Sequence, residues 1–527
     1  MQRPPTVNAM AKREPDDRAE PLVFDDPAAS APPTAPVGEG AQSSSLLVNS
    51  GAMLAARAYG IAITGALAIF AIRTLSIEEY GRYSVALALV TIFLMFSEMG
   101  IAGLTLREMT QRPEREQHTL GVALGAEAVT SVVAVALLVP VGLALGYPSA
   151  ILVLLAIGAA TVLFQGFLSP IETAFRARRV FDGALLPAVQ STVVAVVGFW
   201  LVSTGAGAAG LMLAMLAGAA ATVPSGLWLL RRRLRIRPEL RGARGAILPF
   251  LRSASPIALA GAVWVVYERI DVLMLSKLAG LEAVALYNVP LMVVQYVLLV
   301  PAIVGTTFFP LLSRALKDDP PSARDPLFLM ARLFVFFSVP MAIALVTGGG
   351  DLLTLVFGAR YAGSALPIAI LSATVVLGFL NLLGWYALLG AHRERGMVVV
   401  IIVGLGVNVA LNLALIPTYG PAGAAVALVL SELFVLVCEA VLIRRHLFAL
   451  PIGRLVAKPA LAGSVVAPLA ILATPIPGLV IAPACAMLYA ATLLALGYIA
   501  RDEWEPVTGP LRGGLARVRS RGGRARA

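Results

Sequence analysis

Residues 207–244 read GAAGLMLAMLAGAAATVPSGLWLLRRRLRIRPELRGAR, a long apolar run followed by seven arginines. The apolar part, 207–230, is long enough to cross a membrane, because a helical span needs roughly 20 mostly apolar residues. Lys and Arg that follow closely on a span are retained on the cytoplasmic side. This stretch therefore predicts a transmembrane helix whose C-terminal end lies in the cytoplasm.

The same arrangement recurs from about residue 50 to residue 500. Hydrophobic residues make up 59% of the chain and charged residues 13%, whereas a soluble domain is nearer half apolar and a quarter charged. We therefore predict an all-α polytopic membrane protein with about fourteen transmembrane helices. Their predicted spans are 48–72, 80–104, 117–145, 149–170, 182–203, 207–230, 250–276, 283–312, 327–348, 363–389, 396–416, 421–443, 455–474 and 478–500.

Positive charge gathers in every second break between these spans, at 107–115, 176–179, 231–244, 314–324, 393–395 and 444–458. The alternate breaks hold only Arg73, Arg82, Lys277 and Arg360. Both termini and all even-numbered loops are therefore predicted to be cytoplasmic. The net charge of +11 then belongs to loops beside anionic lipid headgroups, and we expect no nucleic-acid partner.

A weak internal repeat divides the chain into two six-helix halves. Arg73-Thr-Leu and Tyr83 match Lys277-Leu-Ala and Tyr287 at a constant offset, and GAGAA at 205–209 matches GPAGAA at 420–425. The pattern predicts a parallel repeat around a central cavity that works by alternating access. The predicted segments are a disordered cytoplasmic tail (1–46), an N-terminal six-helix bundle (47–230), a basic linker (231–249), a C-terminal six-helix bundle (250–446), helices 13 and 14 (447–500) and a basic cytoplasmic tail (501–527).

An ionisable residue inside a span is costly unless it is paired or hydrated, so each one is a candidate for the substrate cavity. On helix 7, Trp264, Tyr267, Glu268 and Asp271 follow i, i+3, i+4, i+7 spacing and share one face. Aromatic rings and acids on one face suit a ligand that has both apolar faces and hydroxyl groups, through stacking and hydrogen bonds. The alternative is an interfacial cluster near the outer surface.

Other candidates for the cavity lie on neighbouring helices. Arg57 on helix 1 and Arg332 on helix 9 could attract an anionic substrate from the cytoplasm; alternatively Arg57 forms a static ion pair with Glu98 of helix 2, and Arg332 extends to the interface. Helices 8 and 10 contribute Asn288, Gln295, Asn381 and Trp385.

Each residue in a third set of polar residues has two interpretations. Glu127, Glu432 and Glu439 either carry a coupling cation or proton or pair with basic neighbours. For Glu439 the favoured interpretation is a pair with Arg444. For Asn408 and Asn412, hydrogen bonds between helices are the favoured interpretation.

Three segments carry a resemblance to a known family. Arg73-Thr-Leu-Ser-Ile-Glu-Glu-Tyr-Gly-Arg-Tyr83 resembles the helix 1–2 connection of Wzx-type oligosaccharide flippases, of the multidrug/oligosaccharidyl-lipid/polysaccharide (MOP) exporter superfamily. Ser97-Glu-Met-Gly-Ile101, followed by Arg107, resembles the turn that ends their helix 2, although Glu98 stands where an aspartate is more usual. The segment from Asp271 to Tyr287 resembles their helix 7–8 region.

The resemblance implies translocation of polyprenyl-diphosphate-linked oligosaccharide repeat units across the bacterial cytoplasmic membrane. The implied partners are this lipid-linked substrate, membrane lipids, and polysaccharide polymerase and export proteins. We expect a monomer without catalysis, metal or cofactor, in which any energy coupling uses a proton or sodium gradient. The alternatives are an ion-coupled multidrug exporter of the same superfamily, a lipid II flippase, and, from another class, a membrane polysaccharide polymerase or ligase.

Overall fold

The computed structural model describes residues 42–499, except 99, 179, 181, 182, 184, 240, 241, 319 and 473–476. These residues form helices and contain no strand, which confirms the predicted all-α class. The α-helices are α1 (Gln42–Thr74), α2 (Ile77–Glu98), α3 (Ile101–Gln111), α4 (Glu116–Ala144), α5 (Ser149–Ala177), α6 (Leu185–Ser203), α7 (Gly207–Leu229), α8 (Arg244–Leu278), α9 (Leu281–Asp318), α10 (Arg324–Phe357), α11 (Ala365–Gly390), α12 (Glu394–His446), α13 (Ile452–Leu472) and α14 (Gly478–Ala495).

Eleven helical stretches among the described residues are at least 18 residues long and apolar enough to cross a membrane. One of them, in α12, is interrupted at Gly420, whose φ of 54° and ψ of −127° are not helical. Glycine adopts positive φ without the steric cost that a Cβ would bring. α12 is therefore two arms that meet at the break predicted between helices 11 and 12, while the count of fourteen spans stays a prediction.

The helices associate as two groups that meet along α2. In the N-terminal half α1 packs on α6, α4 on α5, and α7 on both α5 and α6. In the C-terminal half α11 packs on α9, α10 and α12, and α8 packs on α12. α2 contacts α4 and α5 on one side and α8 and α9 on the other. The segment boundaries and the parallel repeat predicted from the sequence stay predictions.

The two halves are held together at the end of the bundle where α1 and α10 finish, which we call the closed end. Arg73 donates from Nε to Val356 O (2.6 Å) and from Nη2 to Leu355 O (2.5 Å). Arg360 donates in return from Nη2 to Ile72 O (2.7 Å) and to Arg73 O. Each arginine thus meets carbonyls that a helix leaves unpaired in its last turn.

Close backbone packing also seals the closed end. Gly81 of α2 lies against Leu281 O at the start of α9, and an added Cβ would overlap that oxygen. Beside it, Asn288 Nδ2 donates to Ser84 Oγ (3.1 Å). Tyr147, between α4 and α5, is hydrogen-bonded to Ser276 of α8 (2.8 Å between the oxygens).

The last two helices attach to the C-terminal half through α10, on which α14 packs. Arg332 Nη1 of α10 donates to Tyr498 O (2.9 Å), just beyond the end of α14. Lys458 Nζ of α13 donates to Gly497 O (2.9 Å), and Tyr498 Oη donates to Leu455 O (2.9 Å). Cations favour a helix C-terminus because its carbonyl groups carry partial negative charge.

Candidate functional site

A cavity of about 730 Å³ lies between the two halves. It is reached by the far end of α2, at Met95 and Glu98, whereas the start of α2 forms part of the closed end. The remaining walls come mainly from α8, α9, α11 and both arms of α12. Its polar and aromatic lining residues are Glu98, Trp264, Tyr267, Glu268, Gln295, Thr374, Asn381, Trp385, Glu432 and Glu439.

Most of the cavity candidates named from the sequence lie in this wall. The lining includes Glu98, Trp264, Tyr267, Glu268, Gln295, Asn381 and Trp385. It does not include Arg57, Asp271, Asn288 or Arg332. Whether the lining residues bind a substrate stays a prediction.

An aromatic surface forms one part of the wall. The Trp264 and Trp385 rings lie 5.9 Å apart between centroids, and Trp264 and Tyr267 lie 6.2 Å apart. α8 supplies Trp264 and Tyr267 from successive turns, and α11 supplies Trp385 across from them. Such a surface offers apolar faces with donor groups at their edges.

A polar network lies next to this aromatic surface, on the second arm of α12. Tyr267 Oη donates to Glu432 Oε1 (3.0 Å), and Asn381 Nδ2 donates to Glu432 Oε2 (2.5 Å). Glu439 is only 5% exposed, and its Oε2 has no hydrogen-bond partner. Gly384 of α11 makes room for that carboxylate, since an added Cβ would overlap Oε2.

The expected pairing of Glu439 with Arg444 is wrong. Arg444 is exposed, whereas Glu439 lines the cavity. Residues five apart on a helix point in directions about 140° apart, so the two side chains leave different faces. Glu432 and Glu439 are seven apart and share a face, a spacing that could have identified both as lining residues.

Asp271 is the fourth of the residues predicted to share one face of helix 7, which is α8 in the structure. It lies outside the cavity wall. It is buried, accepts a hydrogen bond from Tyr287 Oη (2.8 Å) at Oδ2, and accepts another from Asn412 Nδ2 (2.8 Å) at Oδ1. Asn412 also donates to Asn408 Oδ1 (2.8 Å). Asn412 therefore joins α12 to α8, as favoured from the sequence, whereas its bond to Asn408 lies within α12.

Three further candidates lie away from the cavity. Arg57 is exposed on α1 and forms no ion pair with Glu98, so the alternative of a static pair between them is wrong. Asn288 is engaged at the closed end, where it bonds Ser84. Arg332 bonds Tyr498 O, and its guanidinium carbon lies 5.2 Å from the centre of the Phe328 ring.

A second polar cluster lies in the N-terminal half, directly behind Glu98. Glu127 is fully buried, and its Oε2 lies 3.4 Å from the donor Ser97 Oγ, which is also hydrogen-bonded to Ser131 Oγ (2.7 Å). Glu127 Oε1 has no partner. Gly166 of α5 faces this cluster.

The charged residues described in the cavity wall are all acidic. Glu98, Glu268, Glu432 and Glu439 line it, and no Lys or Arg does so among the described residues. Arg176, which forms an ion pair with Glu172 (3.7 Å), and Arg269 lie outside the lining. Within the described part of the chain no three His, Cys, Asp or Glu side chains are grouped to hold a metal ion.

Comparisons with known proteins find one matching family and several similar structures. The model of a family described as polysaccharide biosynthesis protein matches residues 70–366. The structure titled "Lipid II flippase MurJ, inward closed conformation" is similar, with a TM-score of 0.68 and 13% identity, over 86% of this chain and 99% of that one. No curated protein sequence matches significantly.

Two MATE transporter structures are also similar. An inward-facing multidrug resistance MATE family transporter of the MOP superfamily has a TM-score of 0.61 and 12% identity, over 73% of this chain and 94% of that one. A mutant of the Vibrio cholerae MATE transporter VcmN has a TM-score of 0.53 and 13% identity, over 77% of this chain and 99% of that one. At these identities the likeness concerns the fold alone.

Proposed function

We propose, from the premise that the chain belongs to the polysaccharide biosynthesis protein family, that it is the flippase for a lipid-linked sugar. Its fold is that of MOP superfamily transporters, and it is a multipass membrane protein. The proposed cargo is a polyprenyl-diphosphate-linked oligosaccharide repeat unit, carried across the bacterial cytoplasmic membrane for surface polysaccharide biosynthesis. Both termini lie in the cytoplasm in this proposal.

The arrangement of the two halves supports transport by alternating access. A cavity between the halves is sealed at one end by Arg73, Gly81 and Arg360. Alternating access needs such a site between two bodies that separate first at one end and then at the other. By the predicted topology the closed end faces outward, so the cavity would receive its cargo from the cytoplasmic side.

The observation that carries the proposal is the combination of aromatic and polar groups in the cavity. Trp264, Trp385 and Tyr267 form a surface on which a sugar ring can stack, and Glu432 and Asn381 lie beside it. A sugar presents apolar C–H faces and a rim of hydroxyl groups, and both are matched here. The polyprenyl tail stays in the lipid, because a cavity of this size cannot hold it.

Roles for the remaining charged residues complete the proposal. Arg57, exposed on α1 outside the cavity, attracts the diphosphate to the surface of the protein before the sugar enters, because a guanidinium donates two parallel hydrogen bonds and keeps its charge. Glu127, Glu432 and Glu439 are the carboxylates that would carry a coupling proton or sodium ion, since none of them is exposed and Glu127 and Glu439 each have an oxygen without a partner. Arg332 holds α14 to α10 in this proposal.

The test is a change of both cavity tryptophans. We expect the double variant W264A/W385A to lower transport about tenfold, because each aromatic contact contributes about 0.5–1.5 kcal/mol. Transport is measured in proteoliposomes as movement of a fluorescent lipid-linked oligosaccharide between leaflets. The matched control is W200A/W228A, which removes two exposed tryptophans of α6 and α7 that lie outside the cavity. Equal rates for the two double variants would remove the aromatic surface from the mechanism.

One observation favours a second candidate, a multidrug exporter of the same superfamily. A mostly apolar cavity whose charged lining is acidic also suits a lipophilic organic cation. Ethidium export by the same proteoliposomes, without movement of the lipid-linked sugar, would favour the exporter. In cells, loss of a flippase leaves lipid-linked units on the cytoplasmic leaflet, whereas loss of a polymerase leaves single completed units outside.

A further inference from the structure

We propose that the cavity selects lipid-linked repeat units whose sugars are neutral or carry a free amine, and that it disfavours units with acidic sugars. This inference rests on the proposed function and narrows its substrate class. Its basis is the charge asymmetry of the lining: four glutamates line the cavity, and no described lining residue is basic.

The asymmetry is strongest in the part of the cavity formed by α11 and α12. Arg269 adjoins Glu268 in the chain, and Arg176, outside the lining, forms an ion pair with Glu172 (3.7 Å). Glu432 and Glu439 form no ion pair among the described residues, and the partners of Glu432 are Tyr267 and Asn381, both uncharged. An excess of acceptor groups therefore faces this part of the cavity.

Two unpartnered acceptor atoms belong to lining residues of the same part of the cavity. Glu439 Oε2 and Asn381 Oδ1 are buried and have no hydrogen-bond partner, so a rotation of either side chain would present its acceptor to a donor in the cavity. A buried acceptor left unpaired costs about 1–3 kcal/mol, so a ligand that donates to it recovers that free energy. Hydroxyl groups donate one hydrogen bond each and an ammonium group donates three.

An acidic sugar meets the opposite situation. Its carboxylate needs a cation or several donors when it leaves water, because an isolated buried charge is very costly. The lining offers glutamates, whose ionised form repels the sugar and whose protonated form offers one donor without compensating charge. An amine gains an ion pair from the same glutamates, and a neutral sugar gains hydrogen bonds without a charge penalty.

The acidic lining also determines where the diphosphate stays during transport. A diphosphate is disfavoured in the cavity for the same reason as an acidic sugar, because none of the described lining residues is a cation. The sugar therefore enters the cavity while the diphosphate remains at its edge, with the tail in lipid. This division lets one protein carry an anionic carrier lipid and still discriminate against anionic sugars.

The experiment measures binding of three polyprenyl-diphosphate probes to the full-length protein in nanodiscs. The probes carry one sugar each: glucosamine, N-acetylglucosamine or glucuronic acid. We expect the glucuronic acid probe to bind at least about tenfold more weakly than the N-acetylglucosamine probe and the glucosamine probe to bind most tightly. Glu439→Gln should reduce the preference for glucosamine, and Glu114→Gln, at an exposed position, should leave it unchanged.

Each outcome decides the question, and the comparison of probes on the unaltered protein does not depend on how the variants fold. Equal binding of the three probes, or tightest binding of glucuronic acid, would overturn this inference and leave the proposed flippase in place. Failure of all three to bind better than sugar-free polyprenyl diphosphate would overturn the proposed function and this inference with it.

Discussion

Gly166 lies where α5 passes the buried cluster of Glu127, Ser97 and Ser131. An added Cβ would overlap Ser131 Oγ and lie 3.1 Å from Glu127 Oε2 and 3.2 Å from Ser97 Oγ. Gly166→Ala should therefore lower the free energy of unfolding by about 1–3 kcal/mol, the usual cost of overfilling a packed site. The measurement is the thermal unfolding midpoint in detergent.

The control for Gly166 is another helical glycine with open space around it. Apart from its chain neighbours and the nearby backbone of its own helix, no described atom lies within 4 Å of the position where a Cβ would be added at Gly406 of α12. Gly406→Ala should leave stability unchanged or raise it by about 0.4–1 kcal/mol, because alanine has less freedom to lose on folding. A Gly166→Ala midpoint at or above that of Gly406→Ala would show that the cluster adapts.

The four residues predicted to share one face of helix 7, which is α8 in the structure, show which residue-level features the sequence could predict. The i, i+3, i+4, i+7 spacing put Trp264, Tyr267 and Glu268 on the cavity side, where the structure places them. The same spacing could not show that Asp271 lies one turn beyond the cavity, where Tyr287 and Asn412 cover it. Periodicity defines the face of a helix, whereas depth along that face depends on the neighbouring helices.

At the scale of elements, α1 and α10 are joined at the closed end by reciprocal hydrogen bonds from two arginines. Arg73 lies in the last turn of α1 and binds α10 carbonyls, and Arg360 follows α10 and binds α1 carbonyls. Hydrogen bonds to charged groups contribute about 1.5–3 kcal/mol each, and about 1.4 kcal/mol changes a population tenfold. The double variant R73A/R360A should therefore shift the protein towards a form in which this end is open.

The shift can be measured as a distance between two spin labels. Ser203 of α6 and Leu278 of α8 are exposed at the closed end in different halves, and labels there require prior replacement of Cys438 and Cys485. We expect one main distance for the unaltered arginines and an added longer distance for R73A/R360A. The control is R82A, which removes an arginine paired only with Glu78 on the surface of α2. Identical distance distributions in the protein with unaltered arginines, R73A/R360A and R82A would contradict the proposed role of Arg73 and Arg360.

At the scale of the whole molecule, the arginine distribution predicts the orientation of every helix. Reporter fusions at Gly205 and Gly420 should report the outside, and fusions at Gly242 and Arg395 should report the cytoplasm. Gly205, Gly242 and Gly420 have positive φ and lie in turns or breaks, so an insertion there interrupts no regular helix. The reverse result at any two sites would contradict the topology.

The sequence predicts where the helices lie along the chain better than it predicts how they pack against one another. Apolar runs and Gly420 locate the helices and the break in α12, because both are local features. The sequence left Arg332 either near an incoming anionic substrate or extended to the interface, yet it contacts Tyr498 O, which lies 166 residues later in the chain. The partners of Glu432, Tyr267 and Asn381, are likewise distant in sequence. Such contacts are set by helix packing, which no local pattern encodes.

The bond between Arg332 and Tyr498 also imposes an order on biosynthesis. At about 5–20 residues per second, the ribosome reaches Tyr498 roughly 8–33 seconds after it has made Arg332. Until Tyr498 has been made, α10 lacks the carbonyl group that Arg332 binds in the complete protein. A chain terminated before α14 would keep that state permanently, so truncated products should be substrates for membrane proteases while the complete protein is not.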